Sequence, residues 1–180
     1  DNRAIDVILF QDYNKGVLST NVIREVLLQA IKQDIPTAVD PKFNNFWAYK
    51  RATLFKPNLK EIRAQVPFAV AETEASLQKA TAYIRDKIGN EYTLITLSEK
   101  GLYIDNSQQG ALIPTQPRSI ADVCGAGDTV VSVAALGLAL RLNMQQVATL
   151  ANLAGGQVCE RVGVVPVDRA QLQAEYEPLQ

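Results

Sequence analysis

The chain contains no histidine, and that one absence removes Ser-His-Asp and Cys-His nucleophilic mechanisms together with histidine-ligated zinc. Any catalysis therefore rests on carboxylates, lysines or backbone groups. Cysteine is scarce: Cys124 and Cys159 have neither the spacing of a metal knuckle nor the density of a disulfide scaffold. The expectation is a reducing, cytoplasmic setting with both thiols in ordinary packing roles. No apolar run approaches the ~20 residues of a membrane span, and the first residues show no charged-then-apolar leader pattern, so a soluble protein is expected. A dominant charge is also missing. Lys plus Arg number 18 against 19 Asp plus Glu, which leaves no electrostatic footprint for nucleic acid or an anionic membrane. Gly-Lys-Ser/Thr is absent, which excludes a Walker loop. A Gly-x-Gly-x-x-Gly after the first apolar run is absent too, which argues against a Rossmann-type dehydrogenase.

What is present suits one compact domain over residues 1–180, with 47% of the residues hydrophobic. Three short apolar runs, Val7 to Phe10, Thr37 to Val39 and Thr53 to Phe55, read as buried strands, each followed by a helical pattern. Ser19 is placed to cap a helix whose apolar residues run from Val22 to Ile31 before Pro36. A second helix is predicted from about Glu72 to Ile88, stopped by Gly89-Asn90. Tyr92 to Leu97 returns as a strand. Residues 101–105 and 111–114 flank a turn-rich segment and read as a β-hairpin at the sheet edge. From Gly125 onward the sequence reads as helical, through Val130 to Leu140, then Met144 to Cys159 and about Val167 to Tyr176. This order predicts an α/β fold, a mostly parallel sheet covered by helices on both faces, with ligands at the carboxyl ends of the strands.

The segment richest in chemistry is Asp122-Val123-Cys124-Gly125-Ala126-Gly127-Asp128-Thr129. A glycine turn opening into a helix leaves the N–H groups of Ala126, Gly127 and Asp128 unpaired at its positive end, an arrangement suited to phosphate oxygens. Asp128 reads in two ways, as a helix N-terminal cap or as a base beside that anion site. An ionised carboxylate there can take the proton of a hydroxyl as it attacks the γ-phosphorus.

Asp-x-x-Gly-Ala-Gly-Asp followed by a small-residue helix resembles the signature of the ribokinase, or PfkB, family of carbohydrate kinases. Five fixed residues match by chance on the order of once per million start positions. The resemblance implies a ribokinase-like three-layer α/β/α fold, with Gly125, Ala126 and Gly127 as the anion hole, Asp128 as the catalytic base, and ATP and Mg²⁺ as cofactors. It also implies a monovalent cation, K⁺, beside Asp122, which alone would read as a surface turn residue. Residues 161–166 lie where relatives have a cation-site loop, but the usual hydroxyl is missing.

Other segments fit the same pattern. Asn58 and Glu61 resemble the family's Asn-x-x-Glu motif linked to magnesium and phosphate, where together on one helical face they would organise waters around Mg²⁺; by themselves they read rather as a capping box. Thr96, Ser98 and Gly101 resemble its Thr-x-Gly-x-x-Gly nucleotide turn, with Ser98 in place of the first glycine. Asn152 falls on the helix that lines the adenine pocket in relatives. Asp12-Tyr13-Asn14-Lys15-Gly16 and Asp40-Pro41-Lys42 resemble the branch that phosphorylates a heptose 7-phosphate at its anomeric hydroxyl. That places Asp12, Lys15 and Lys42 at the substrate. Gln11 replaces a small residue common in that branch.

The resemblance begins partway through the family fold. The expectation is therefore a nucleotide-binding and catalytic portion whose N-terminal part, carrying much of the sugar site and a β-sheet lid, lies outside these residues. The full-length protein is expected to be a homodimer, with a nucleotidyltransferase domain downstream if the heptose reading holds. The alternatives are another sugar or nucleoside kinase, or a non-catalytic nucleotide-binding domain that keeps the glycine loop for folding.

Overall fold

The structure, a computed structural model, describes residues 5–179. Its strands are β1 (Ile8–Gln11), β2 (Thr37–Asp40), β3 (Leu54–Phe55), β4 (Tyr92–Thr96), β5 (Leu102–Asp105) and β6 (Gly110–Ile113). Its helices are α1 (Thr20–Lys32), α2 (Leu59–Gln65), α3 (Glu74–Ile88), α4 (Ala126–Ala139), α5 (Met144–Val158) and α6 (Arg169–Tyr176). The six strands lie side by side in sequence order. β1 to β4 are parallel, while β5 and β6 each run antiparallel to the strand before, forming the edge hairpin.

The period of two along the strands divides the core into two layers. Phe10, Val39, Phe55, Ile95 and Tyr103 point to one face, where they meet Ile23 and Leu27 of α1, Ile62 of α2 and Leu77 and Ile84 of α3. Ala38, Leu54, Leu94, Leu102 and Ile104 point to the other, against Val131, Ala134 and Leu138 of α4 and Val147 and Ala151 of α5. α1 to α3, which connect the successive parallel strands, thus all lie on the first face, as crossovers of one common hand require. α4 and α5, which follow the last strand, supply the second outer layer. They pack closely, for a Cβ on Gly155 would stand 2.6 Å from Val130 Cγ2.

Local signals explain most element ends. Ser19 Oγ accepts the Val22 N–H at the start of α1, and Gly89 ends α3 in the left-handed conformation (φ 67°). Two expectations are corrected. α3 starts at Glu74, because Thr73 takes the cap position and Glu72 turns outward to Arg63 and Lys100. Cys124 lies exposed in a turn, so only Cys159 has a packing role. α4 starts at Ala126, as the helical reading from Gly125 onward requires, which puts Gly127 and Asp128 inside its first turn. Among the described residues no helix is long and apolar enough to cross a membrane.

Candidate active site

The parallel strands deliver Gln11, Asp40, Lys56 and Thr96 at or just beyond their carboxyl ends, and the glycine loop arrives beside them at the head of α4. Gly125 makes the turn with φ 79°, a left-handed backbone that suits glycine. Its neighbour corrects the sequence reading: the Ala126 N–H donates to the Val123 carbonyl at 3.3 Å and is spent on closing the loop. The N–H groups of Gly127 and Asp128 have no protein acceptor among the described residues. The anion site therefore has two free amides rather than three. Lys56 faces the same place: a Cβ built on Gly127 would lie 3.9 Å from Lys56 Nζ. Lys56 is buried, with its ammonium 3.2 Å from Asp40 Oδ1.

Asp128 is not a cap. The cap position belongs to Gly125, which makes no side-chain bond, and the Asp128 carboxylate lies exposed at the surface of the site. Gln11 Nε2 donates to its Oδ1 at 2.7 Å, and the Tyr13 hydroxyl donates to its Oδ2 at 2.9 Å. The hydrogen bond to this carboxylate, followed by burial and the Asp128 charge, raises the Tyr13 phenol above its ordinary pKa. Gln11 also donates to Asp40 Oδ2 at 3.0 Å, so one amide links two carboxylates.

Asp122 ties two loops together. Its oxygens accept the Cys124 N–H at 3.0 Å and the Gly163 N–H at 2.9 Å, and these bonds hold its carboxyl below the usual range. The loop containing Gly163 thus sits beside the glycine loop, as the resemblance implied. The role visible for Asp122 is that tie.

Asn58 and Glu61 form the capping box of α2: Asn58 Oδ1 accepts the Glu61 N–H, and Glu61 Oε2 accepts the Asn58 N–H, both at 2.8 Å. Glu61 Oε1 is occupied as well, by Lys42 Nζ at 3.1 Å. Both Glu61 oxygens therefore have partners, and no group of three His, Cys, Asp or Glu side chains able to hold a metal occurs among the described residues. Each Glu61 oxygen still has a lone pair left for water, so any contact of Asn58 and Glu61 with Mg²⁺ would run through the waters that the ion keeps. Both residues lie beside the turn after β4, since Thr96 N–H donates to the Pro57 carbonyl at 3.2 Å. In that turn Ser98 adopts φ 54°, the left-handed backbone for which a glycine is the easier residue. Gly101 has φ 94° and passes so close to the end of β6 that a Cβ would stand 2.1 Å from the Ile113 carbonyl oxygen.

Two residues assigned to ligands are committed to the fold instead. Asp12 is buried at 2% exposure and accepts the Asn14 N–H, Asn45 Nδ2 at 2.9 Å and the Tyr49 hydroxyl at 2.8 Å. Burial works to raise its pKa, but these three donors outweigh it and the pKa is lowered. Asn152 uses its amide on the carbonyls of Ile113 and Pro114, at 3.2 and 2.9 Å, stapling α5 to the end of β6. Lys42 is half-buried and shared between Asp40 and Glu61. Lys15 is exposed, with no hydrogen bond or ion pair among the described residues.

Sequence reasoning assigned no role to Lys56, and treated Gln11 and Tyr13 only as parts of a motif. A lysine closing the apolar run Thr53 to Phe55 was the one available signal, because a charge at the end of an interior strand has no solvent to turn to. A cleft of about 830 Å³ also opens at the opposite ends of the strands, lined by residues such as Thr37, Arg51, Tyr92 and Arg141. It holds none of the charged groups described above, whose chemistry makes the glycine loop the candidate site.

This arrangement of two free amides, a buried ammonium and an exposed carboxylate can hold an anion and accept a proton beside it. Residues 5–169 match the pfkB family of carbohydrate kinases. Among curated proteins the chain is 40% identical over 170 residues to a bifunctional protein HldE of Pelobacter propionicus, covering 94% of this chain and 35% of that protein. It is 32% identical over 183 residues to a bifunctional protein HldE of Campylobacter curvus, covering 97% and 39%. The chain thus spans little more than a third of these relatives' length. Among solved structures it superposes on Escherichia coli phosphofructokinase-2 in complex with potassium with a TM-score of 0.85 at 20% identity, covering 96% of this chain and 57% of that one. Arabidopsis thaliana ribokinase complexed with ribose and ATP gives 0.81 at 19% identity, covering 94% and 55%. With its three-layer fold and glycine loop matched along nearly its whole length, the chain belongs to the pfkB family of carbohydrate kinases.

Proposed function

We propose that the chain carries the phosphoryl-transfer half of an ATP-dependent sugar kinase, and that its acceptor is the anomeric hydroxyl of a heptose 7-phosphate. The observation that carries the reading is the exposed Asp128 carboxylate one residue from the free Gly127 N–H, with the Lys56 ammonium across the loop. The acceptor oxygen forms its bond to the γ-phosphorus while the bond from that phosphorus to the ADP oxygen breaks, and the hydroxyl proton passes to Asp128. The Gly127 and Asp128 N–H groups and Lys56 stabilise charge on the migrating phosphoryl oxygens.

Mg²⁺ is expected to arrive on the nucleotide phosphates, keeping most of its waters. A K⁺ ion would lie beside Asp122, whose oxygens already accept the Cys124 and Gly163 N–H groups. The exposed Lys15 is the side chain free to hold the acceptor's distal phosphate, whereas Asp12 and Lys42 have partners within the protein. The remaining partners, a homodimer of the full protein in a cytoplasmic setting, follow from the resemblance.

The test is phosphorus NMR of the full-length protein with MgATP and a panel of heptose 7-phosphate, fructose 6-phosphate, ribose and a nucleoside. Heptose 7-phosphate should be converted to the 1,7-bisphosphate with a kcat/KM at least about tenfold above the others, the scale one added polar contact provides. Preference for another acceptor removes the heptose assignment. No turnover of any acceptor favours a non-catalytic nucleotide-binding domain.

A further inference from the structure

Asp128 sits at an exposed helix start, where a carboxylate is free to rotate unless something holds it. Gln11, the last residue of β1, reaches it across 117 positions of sequence. Both hydrogens of its amide go to carboxylates: one to Asp128 Oδ1 at 2.7 Å, the other to Asp40 Oδ2 at 3.0 Å. Asp40 is itself immobile, buried at 3% exposure and ion-paired to Lys42 and Lys56 at 3.2 Å each. A glutamine is suited to this bridge, because its planar amide presents two donors at a fixed angle and adds no charge. A lysine there would neutralise the carboxylate, and an acid would repel it.

We propose that Gln11 is the positioning residue of the base, anchoring Asp128 to the buried Asp40–Lys56 pair so that its carboxylate stays aimed at the acceptor. This rests on the reading of Asp128 as the base, but the anchoring can be measured without turnover. The Tyr13 hydroxyl is bonded to the other Asp128 oxygen and reports where that carboxylate is. The charged groups that act on the phenol are Asp128 from α4 and Asp40 from β2, the latter paired with Lys42 and Lys56; both carboxylates raise its pKa, and the Gln11 amide lowers it. Releasing Asp128 takes its hydrogen bond and charge away from the phenol and so lowers the Tyr13 pKa, whereas a carboxylate that stays in place leaves it raised, and this separates the two cases.

The experiment is a titration of the full-length protein carrying ring-labelled tyrosine, with the Tyr13 signal assigned through Tyr13→Phe and the no-carboxylate limit set by Asp128→Asn. In Gln11→Ala, and in Gln11→Met, which keeps the volume, Tyr13 should ionise at lower pH than in wild type, moving toward the Asp128→Asn limit. A rise or no change in both variants overturns the proposal, as does loss of fold in both, which would make Gln11 a structural residue. In turnover the same variants should lose about 100-fold in kcat, the scale of an ångström-level misplacement, with KM for MgATP held within about threefold. If wild type phosphorylates no acceptor, the base reading falls while the titration still judges the anchoring.

Discussion

Gly127→Ala separates a glycine needed by the fold from one needed by the ligand. Gly127 lies in the first turn of α4 without a positive φ, and a Cβ there meets only Lys56 Nζ, at 3.9 Å, an ordinary contact. Alanine is the better helix residue, so the substitution should stabilise the protein by about 0.5 kcal/mol. For a domain of this size that is a rise of about 1–2 °C in Tm. Gly125→Ala should behave oppositely. Its φ of 79° strains any side chain, at a cost of about 1–2 kcal/mol, although the space beside Val164 is sufficient. The methyl of Gly127→Ala would nevertheless stand between the loop amides and the Lys56 ammonium, where the migrating phosphoryl group is to sit. Losing the use of one such donor lowers kcat by about 100- to 1,000-fold. Thermal unfolding followed by circular dichroism, together with ATP turnover by the full-length protein, reads both effects. Turnover within about threefold of wild type would refute the placement of the phosphoryl group. A Tm lowered as in Gly125→Ala would refute the structural reading of the loop.

Two further substitutions test the framework. Gly101→Ala puts a Cβ 2.1 Å from the Ile113 carbonyl oxygen and 2.8 Å from the Thr115 nitrogen, both backbone atoms, at a φ of 94°. Chemical denaturation should show a loss of at least about 3 kcal/mol, since strained backbone and overpacking add; a loss under about 1 kcal/mol would mean that the hairpin and the β4 turn do not meet as described. Asp12→Asn removes a charged acceptor with three donors and should cost about 1.5–3 kcal/mol near neutral pH. Because the folded pKa of Asp12 is lowered, its contribution is fully present above the unfolded value of ~3.9 and is lost as pH falls through the folded value. The stability gap between wild type and Asp12→Asn should therefore hold from neutral pH down to about 5 and close below about 4; a gap independent of pH would contradict this.

The strand and helix order was legible because each element carries its own local signal: the Ser19 cap, the Gly89 stop, the apolar runs and the turn-rich hairpin. Residues 43–52 had no such signal, yet they supply Phe46 and Tyr49 to the core, with Phe46 edge-on to Phe55 at 5.0 Å. Their burial comes from where the crossover between β2 and β3 passes, which no local periodicity encodes. At the site, the glycine loop and Asp128 could be read because the motif is contiguous. Gln11 and Tyr13 could not be placed, since their partner lies more than a hundred residues away. The internal partners of Asp12, Lys42 and Asn152 were equally hidden from the sequence, because a polar side chain in a ligand-like motif gives no sign of the bonds it makes within the protein.

The central claim is that Asp128 takes the acceptor's proton while the neighbouring backbone and Lys56 hold the phosphoryl group. Turnover and MgATP affinity, measured side by side for the full-length wild type and Asp128→Asn, test it most directly. The account predicts that kcat falls at least about 100-fold with Kd for MgATP changed less than about threefold, because the side chain acts on the acceptor and only the backbone N–H touches the nucleotide. An Asp128→Asn variant that turns over like wild type would contradict it, as would one whose lost turnover is matched by an equal loss of nucleotide binding.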